Sequence, residues 1–243
     1  MVGMDHGWRR SLYQAASHLI WPARCLGCGG HRSGGDDWLC QDCWQELTVC
    51  TAGTGCPRCG RDASPYALIE DACPDCLPDP PVWDRLCRCG VYRTVLRELI
   101  LAFKHGRTEL DIVLAGLANA CIQACDWYEQ IDLIVPVPLH WIRRLQRGYN
   151  QSAVIARQLR HPRARYMNAL RRIRWTAPQT SMPTDSARSR NVRGVFVVRH
   201  QVKDKVVCLV DDIKTTGATL GQCTAVLRQA GASKVYALVL AVA

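Results

Sequence analysis

Residues 206–219, VVCLVDDIKTTGAT, decide the fold. The opening VVCLV is an apolar run of the length of a buried strand, and Asp211 and Asp212 stand at its carboxyl end. Two ionised carboxylates do not stay in a core, so this end of the strand must open on a solvated crevice, which is where open α/β sheets hold their ligands. Paired carboxylates there suit the vicinal hydroxyls of a ribose, or a Mg2+ carried by a phosphorylated ligand. Gly217 lets the backbone approach an anion closely. The hydroxyls of Thr215, Thr216 and Thr219 and the amides opening a helix read over 218–229 can surround a phosphate.

The string resembles, at nearly every position, the motif with which type I phosphoribosyltransferases bind phosphoribosyl pyrophosphate (PRPP). Lys214 departs from it, standing where an aliphatic residue is usual. The resemblance implies Asp211 and Asp212 as the catalytic pair, and both of them with Lys214, Thr215, Thr216, Gly217, Ala218 and Thr219 as PRPP-binding residues. No GxxxxGK[ST] loop occurs in the chain, which argues against a P-loop nucleotidase.

Upstream, cysteines come as four CxxC pairs, Cys25/Cys28, Cys40/Cys43, Cys56/Cys59 and Cys73/Cys76. Each pair turns two thiolates to one side of a tight knuckle, and two knuckles complete a tetrahedral S4 site for Zn2+. Eleven residues separate the first two pairs and thirteen the last two, so each couple closes a ribbon of its own and two structural Zn2+ are expected. Gly29 and Gly60 follow two of the knuckles and supply the positive φ such turns need. An iron–sulfur centre is the alternative occupant of an S4 site, and a disulfide framework would need an export signal, which the amino terminus does not offer convincingly. Cys50, Cys87, Cys89, Cys121, Cys125, Cys208 and Cys223 lack partners at this spacing and read mostly as small buried hydrophobes.

The 243 residues divide into an amphipathic helix within 1–22, a double zinc ribbon over 23–80 and an α/β domain over 81–243, with the Pro-rich stretch 78–81 as linker. Helical periodicity covers 93–105 and 109–127, with Gly106 ending the first helix and Lys104 and His105 read as helix-end electrostatics. Apolar strands are read at 131–137, 195–198, 206–210 and 235–242, and a helix from Asn150 to about 159. Strands alternating with helices mean a largely parallel sheet. The last apolar run is too short to cross a bilayer.

The net charge of +10 is unevenly spread, since the window 143–205 holds sixteen basic residues and two acidic ones. That imbalance exceeds an ordinary mixed surface and calls for an anionic partner. Part of it lies in PVPLHWIRRLQRGYNQS, residues 136–152, read as the loop after the first strand of the sheet. There Arg143 and Arg147, with the Gly148 amide, are placed to receive a pyrophosphate. The polar, Pro-interrupted stretch 174–196 reads as a lid.

Five motifs in this order, the paired CxxC ribbons, FKHGR, PVPLH…RGYNQ, TAPQT…RSRNVRGVF and VDDIKTTGAT, make the chain similar over essentially its whole length to the ComF family, the competence-associated proteins also described as GntX-like. The resemblance implies a cytoplasmic bacterial protein with a type I phosphoribosyltransferase-like domain behind its ribbons, linked to handling of incoming single-stranded DNA in competence or DNA utilisation. Arg144, Arg171, Arg172, Arg174, Arg190 and Arg193 are the DNA-binding candidates, with Trp141, Tyr149, Tyr166 and Trp175 as stacking platforms or core residues. The ribbons also offer a surface to a protein partner. The alternative is an active phosphoribosyltransferase of nucleotide metabolism, in which the arginines and Mg2+ stabilise departing pyrophosphate and the acceptor has no signature in the chain.

Overall fold

The computed structural model describes residues 24–31, 38–174 and 194–243. The amino-terminal helix, Trp175, Arg190, Arg193 and nearly all of the stretch read as a lid lie outside them. Seven strands are present among the described residues: β1 Arg85–Val91, β2 Leu133–Pro136, β3 Arg165–Tyr166, β4 Leu170–Arg172, β5 Phe196–Val198, β6 Val206–Lys214 and β7 Lys234–Val242. Six α-helices accompany them: α1 Gln41–Thr51, α2 Thr94–Lys104, α3 Asp111–Gln123, α4 Trp141–Arg147, α5 Gln151–Gln158 and α6 Ala218–Gln229.

Five strands form one parallel sheet in the order β1-β7-β6-β2-β3, with β6 at its centre. Side chains alternate across β6, so Cys208 and Val210 enter one core and Val207 and Leu209 the other. Helix α2 puts Val95, Leu96, Leu99, Ile100 and Phe103 into the first core, beside Leu114, Ala118 and Ile122 of α3. Leu220, Cys223 and Leu227 of α6 close the second. Burial on both faces is what makes β6 and β7 read as unbroken apolar runs.

From β2 the chain crosses through α5 to β3, on one side; from β6 it crosses through α6 to β7, on the other. The connections therefore part between β2 and β6, and the loops leaving their carboxyl ends diverge around a crevice. The motif strand is longer than its apolar part, because pairing with β7 continues through Asp211 and Ile213 to Lys214.

The observed elements depart from the sequence reading in several places, the short strands β3 and β4 among them, where no strand was read. The stretch 195–198 is not in the parallel sheet: β5 pairs antiparallel with β4 in a separate two-stranded ribbon. The loop after β2 contains the two-turn helix α4, capped by His140, whose Nδ1 accepts the Ile142 amide at 3.4 Å. Asn150 precedes α5 without capping it by its side chain, and Asn150 Nδ2 instead donates to the Val137 carbonyl at 3.0 Å, tying the helix to the end of β2. Strand β1 falls where no strand was read, since its arginines interrupt the apolar pattern.

Arg88 explains how such an edge strand is tolerated. Its side chain is only 7 % exposed and donates to the carbonyls of Gly60 (2.8 Å), Gly53 (3.1 Å) and Thr54 (3.2 Å) and to Asp62. The second ribbon thus covers the open edge of the sheet, and the Leu86 amide donates to the Pro57 carbonyl at 2.7 Å. Because Leu209 is fully buried in the central strand, Leu209→Ala is expected to lower stability by about 2–5 kcal/mol, read as a lower urea midpoint at unchanged slope.

Candidate functional site

The carboxyl ends of β2 and β6 frame a cavity of about 460 Å³, lined by Asp211, Asp212, Thr215 and Thr219 of the motif segment, by Arg143 and Arg147 of α4, and by Lys104, Gln151, Ser152 and Arg172. Asp211 Oδ1 accepts from Ser152 Oγ at 3.0 Å and from the Asp212 amide at 2.9 Å. Asp212 Oδ2 lies 2.8 Å from Lys104 Nζ, in a pair whose side chains are each 16 % exposed. Burial, then the charge of Asp212, pushes the Asp211 carboxyl up to about 7, against the Asp212 amide, the Ser152 hydroxyl and the Lys104 ammonium. Gln151 is 1 % exposed, receives Arg147 Nη1 on its carbonyl oxygen at 3.3 Å, and keeps a buried amide nitrogen without an acceptor among the described residues.

Lys104 is therefore more than a helix-end charge: α2 ends pointing at the crevice, and its last lysine reaches Asp212. Single-residue reasoning on helix dipoles concealed this, and the FKHGR string in the family resemblance was the signal that carried it. Gln151 and Ser152 were likewise visible only as letters of a motif.

The remaining motif residues split by direction. Thr216 Oγ1 accepts the Ala218 amide at 3.2 Å, opening α6. Gly217 has φ +83°, and an added Cβ would fall 2.6 Å from Trp83 Cη2, so conformation and space both exclude a side chain. Lys214 is buried, and its ammonium donates to the Thr215 carbonyl at 3.4 Å. Burial lowers its pKa, and the charges acting on it most are those of Cys59, Arg61, Cys76 and Cys56. It does not line the carboxylate crevice, and its Cε lies beside Gly217.

Helix α4 is the wall between this cavity and a second one of about 640 Å³. At 100° per residue, Arg143 and Arg147 share one face and line the carboxylate crevice, whereas Trp141 and Arg144 line the other cleft. That cleft also takes Gly148 and the arginines Arg157, Arg171, Arg172 and Arg199. Arg172 lines both. Burial lowers the pKa of Arg172, with Arg143 adding to it, and burial with the same two arginines lowers that of His140, keeping its ring neutral to cap α4. Trp141 is 62 % exposed at the cleft, Tyr166 lies under Arg157 at 5.1 Å, and Tyr149 is committed to the core through its hydroxyl on the Phe103 carbonyl. Arg174 is exposed and does not line the cleft.

The four CxxC pairs gather as sequence spacing implies, into Cys25, Cys28, Cys40 and Cys43 and into Cys56, Cys59, Cys73 and Cys76, each set with its sulfurs within 4.8 Å of one another. Sulfur separations of 3.8 Å (Cys28, Cys40), 3.6 Å (Cys59, Cys73) and 4.0 Å (Cys56, Cys76) match the edge of a tetrahedron with Zn–S bonds of about 2.3 Å. Backbone amides favour the thiolate at one sulfur of each set: Cys25 accepts from Gly27 (3.3 Å) and Cys40 (3.2 Å), Cys56 from Arg58 and Cys73 (both 3.4 Å). Burial pushes both thiols up, but these amides outweigh it, leaving Cys25 at about 6 and Cys56 at about 7. The residues fit two structural Zn2+. Cys87 and Cys89 lie in the main core, so neither ribbon borrows a ligand from them.

The double zinc ribbon domain family matches residues 16–77. The DNA utilization protein YhgH of Escherichia coli strain K12 is 30% identical over 218 residues, covering 82% of this chain and 92% of that protein. The chain belongs to the ComF/YhgH family. Other ComF relatives include competence protein F of Haemophilus influenzae, 29% identical over 87% of this chain and 93% of that protein, and competence protein ComFC of Bacillus subtilis, 27% identical over 76% and 75%. Among solved structures, a purine phosphoribosyltransferase from Pyrococcus horikoshii aligns at 17% identity over 57% of this chain and 76% of its own, with a TM-score of 0.29 that carries no weight here. The fold class read from the sequence is that of this ComF-family chain: a mostly parallel sheet with flanking helices behind a Cys-rich double ribbon. Among the described residues no helix is long and apolar enough to cross a membrane.

Elemental analysis of freshly purified, reduced protein is expected to give about two zinc per chain, since each site takes four thiolates. The raised carboxyl of Asp211 has a signed consequence. Unfolded aspartate titrates near about 4, so between about pH 4 and about pH 7 the folded chain holds a proton that the unfolded chain has lost. Stability falls with rising pH across that window and levels off above it. Asp211→Asn is expected to abolish this slope and to raise the urea midpoint above that of wild type at pH 8.

Proposed function

We propose that this ComF-family protein handles single-stranded DNA and carries beside the DNA site a pocket for PRPP or a related phosphoribosyl ligand. The observation that supports it most is the division made by α4, with carboxylates and a threonine loop on one side and exposed arginines with an exposed tryptophan on the other. The names of its relatives, competence protein and DNA utilization protein, point the same way.

In the first pocket, Asp211 and Asp212 accept the ribose hydroxyls, and Thr215, Thr219 and the amides opening α6 receive the 5-phosphate. Arg143 and Arg147 take the pyrophosphate, for which their shared face of α4 supplies two guanidinium groups, and the free Gln151 amide adds a donor. Mg2+ accompanying PRPP would supply further charge neutralisation, with Asp211 and Asp212 as the carboxylates turned toward it. Lys104 holds Asp212 in place, and a bound cation would share that carboxylate with it. In the second cleft, Arg144, Arg157, Arg171 and Arg199 pair with phosphates while bases stack on Trp141. Arg172 stands between the two and senses anions in either. On this reading the protein meets incoming strands in the cytoplasm, as the family resemblance implies.

Two titrations test this reading. PRPP with Mg2+ is expected to bind wild type, and Asp211→Asn with Asp212→Asn to abolish that heat while zinc content and folding stay intact; equal affinity in the two proteins removes the aspartates from the site. Anisotropy of labelled oligo-dT across a salt series is expected to show saturable binding, and Arg144→Ala, Arg171→Ala and Arg199→Ala together to flatten the log-log slope by about two units without changing PRPP affinity. Absence of saturable oligonucleotide binding at near-physiological salt overturns the DNA assignment. Release of pyrophosphate from PRPP without DNA would add turnover to binding.

A further inference from the structure

The second ribbon does more than cover the edge of the sheet. Trp83, 6 % exposed, stands between it and the threonine loop. On one side its indole Nε1 donates at 2.6 Å to the carbonyl of Arg58, a residue inside the knuckle Cys56–Pro57–Arg58–Cys59. On the other its ring lies against Gly217 so closely that an added Cβ would come within 2.6 Å of Cη2 and 3.4 Å of Cζ3. The stem of Lys214 closes the same contact, with Cε 3.3 Å from that Cβ position. A continuous packed path therefore runs from a metal knuckle through one indole to the turn that presents Thr215–Thr219.

The buried cluster of this ribbon consists of Cys56, Cys59, Cys73, Cys76 and Ala72, with Ala63 and Leu68 packed against it, so the four ligands make up most of its core and a bound metal would be the main tie between its knuckles. The first ribbon differs. Cys25 and Cys43 pack with Leu39 and Leu47 into the main core, and no atom of that ribbon meets Gly217 or Trp83 among the contacts described above.

We infer that Trp83 is a positioning residue through which the metal site formed by Cys56, Cys59, Cys73 and Cys76 sets the shape of the Thr215–Thr219 anion loop. Occupied, that site fixes the Arg58 carbonyl, which fixes the indole, which holds Gly217 at its positive φ. Emptied, it releases the acceptor of the indole N–H, and the loop loses the wall against which it is folded. Phosphate affinity then becomes a function of zinc at one ribbon and not at the other. Only the ligand arm of this inference rests on the phosphoribosyl reading; the loop arm stands without it.

The test uses full-length protein isolated with its zinc. Amide hydrogen exchange in the peptide spanning 214–220 is expected to rise about tenfold in Cys73→Ser and in Trp83→Ala, with exchange at 206–210 unchanged. Trp83→Phe, which keeps a ring against Gly217 and loses only the N–H, is expected to raise it about fivefold at full zinc content. Cys28→Ser, which empties the first ribbon, is expected to leave it unchanged. Wild-type exchange at 214–220 in Cys73→Ser with one zinc shown lost, or an equal rise in Cys28→Ser, overturns the inference. Should Cys73→Ser or Trp83→Ala fail to fold, Trp83→Phe decides alone, and an unchanged loop in that variant sinks it. Titration of PRPP with Mg2+ into the same proteins is expected to weaken in step with exchange; a wild type that ignores PRPP refutes the ligand reading while the exchange result still judges the role of Trp83.

Discussion

A strand buried on both faces that ends in two carboxylates is the constraint from which the rest follows. Val207, Cys208 and Leu209 are fully buried, and they can be so only with a helical layer on each side of the sheet. The carboxylates that come next cannot share that burial at full charge. Neighbouring strands and helices must therefore part at this end, and they do so where the crossovers diverge between β2 and β6. Asp211 records the tension, with a carboxyl pushed up to about 7 by burial and by its neighbour, and Lys104 and Ser152 are the groups that make the pair tolerable.

Around that crevice, positive charge is sorted by helix geometry. Three arginines within five residues of α4 would repel one another as a cluster, yet the helix sends Arg143 and Arg147 to one side and Arg144 to the other. Two cavities of different character result, one furnished with carboxylates and hydroxyls beside its arginines, the other arginine-rich with an exposed tryptophan. Arg172, bordering both, gives the sites a shared wall.

The ribbons meet the sheet differently. The first merges with the main core through Leu39, Leu47 and Cys50. The second has only a small cluster of its own, made mostly of its cysteines, and is tied to the sheet by Arg88 on three carbonyls, by Trp83 on the Arg58 carbonyl and by the close approach of Gly60 to Leu86 and Val242. This is why strand β1 escaped the sequence reading: an arginine within an edge strand looks like an interruption until the carbonyls that bury it are known. Helix α4 escaped because it is only seven residues long, and its apolar residues Trp141, Ile142 and Leu145 are exposed or half-buried. Strands β4 and β5 pair only with each other, and strands of three residues carry no periodicity from which to tell one sheet from another. Lys104 reached Asp212 across 108 positions of sequence, a distance no local rule spans.

What the sequence determined by itself are the features encoded by local spacing. Four CxxC pairs specify two S4 clusters because the loop between pairs is short enough to close each couple on itself. The apolar run before Asp211 and Asp212, followed by a threonine turn and a helix at 218–229, specifies a central parallel strand that opens on a crevice at its end. Tertiary structure alone decided which arginines share a cavity, that Thr215 and Thr219 line the crevice while Lys214 is buried beside Gly217, and that Gly217 is glycine because Trp83 lies upon it. Those outcomes depend on which side of a strand or helix meets a partner brought from far along the chain, and the packing of the two cores settles that.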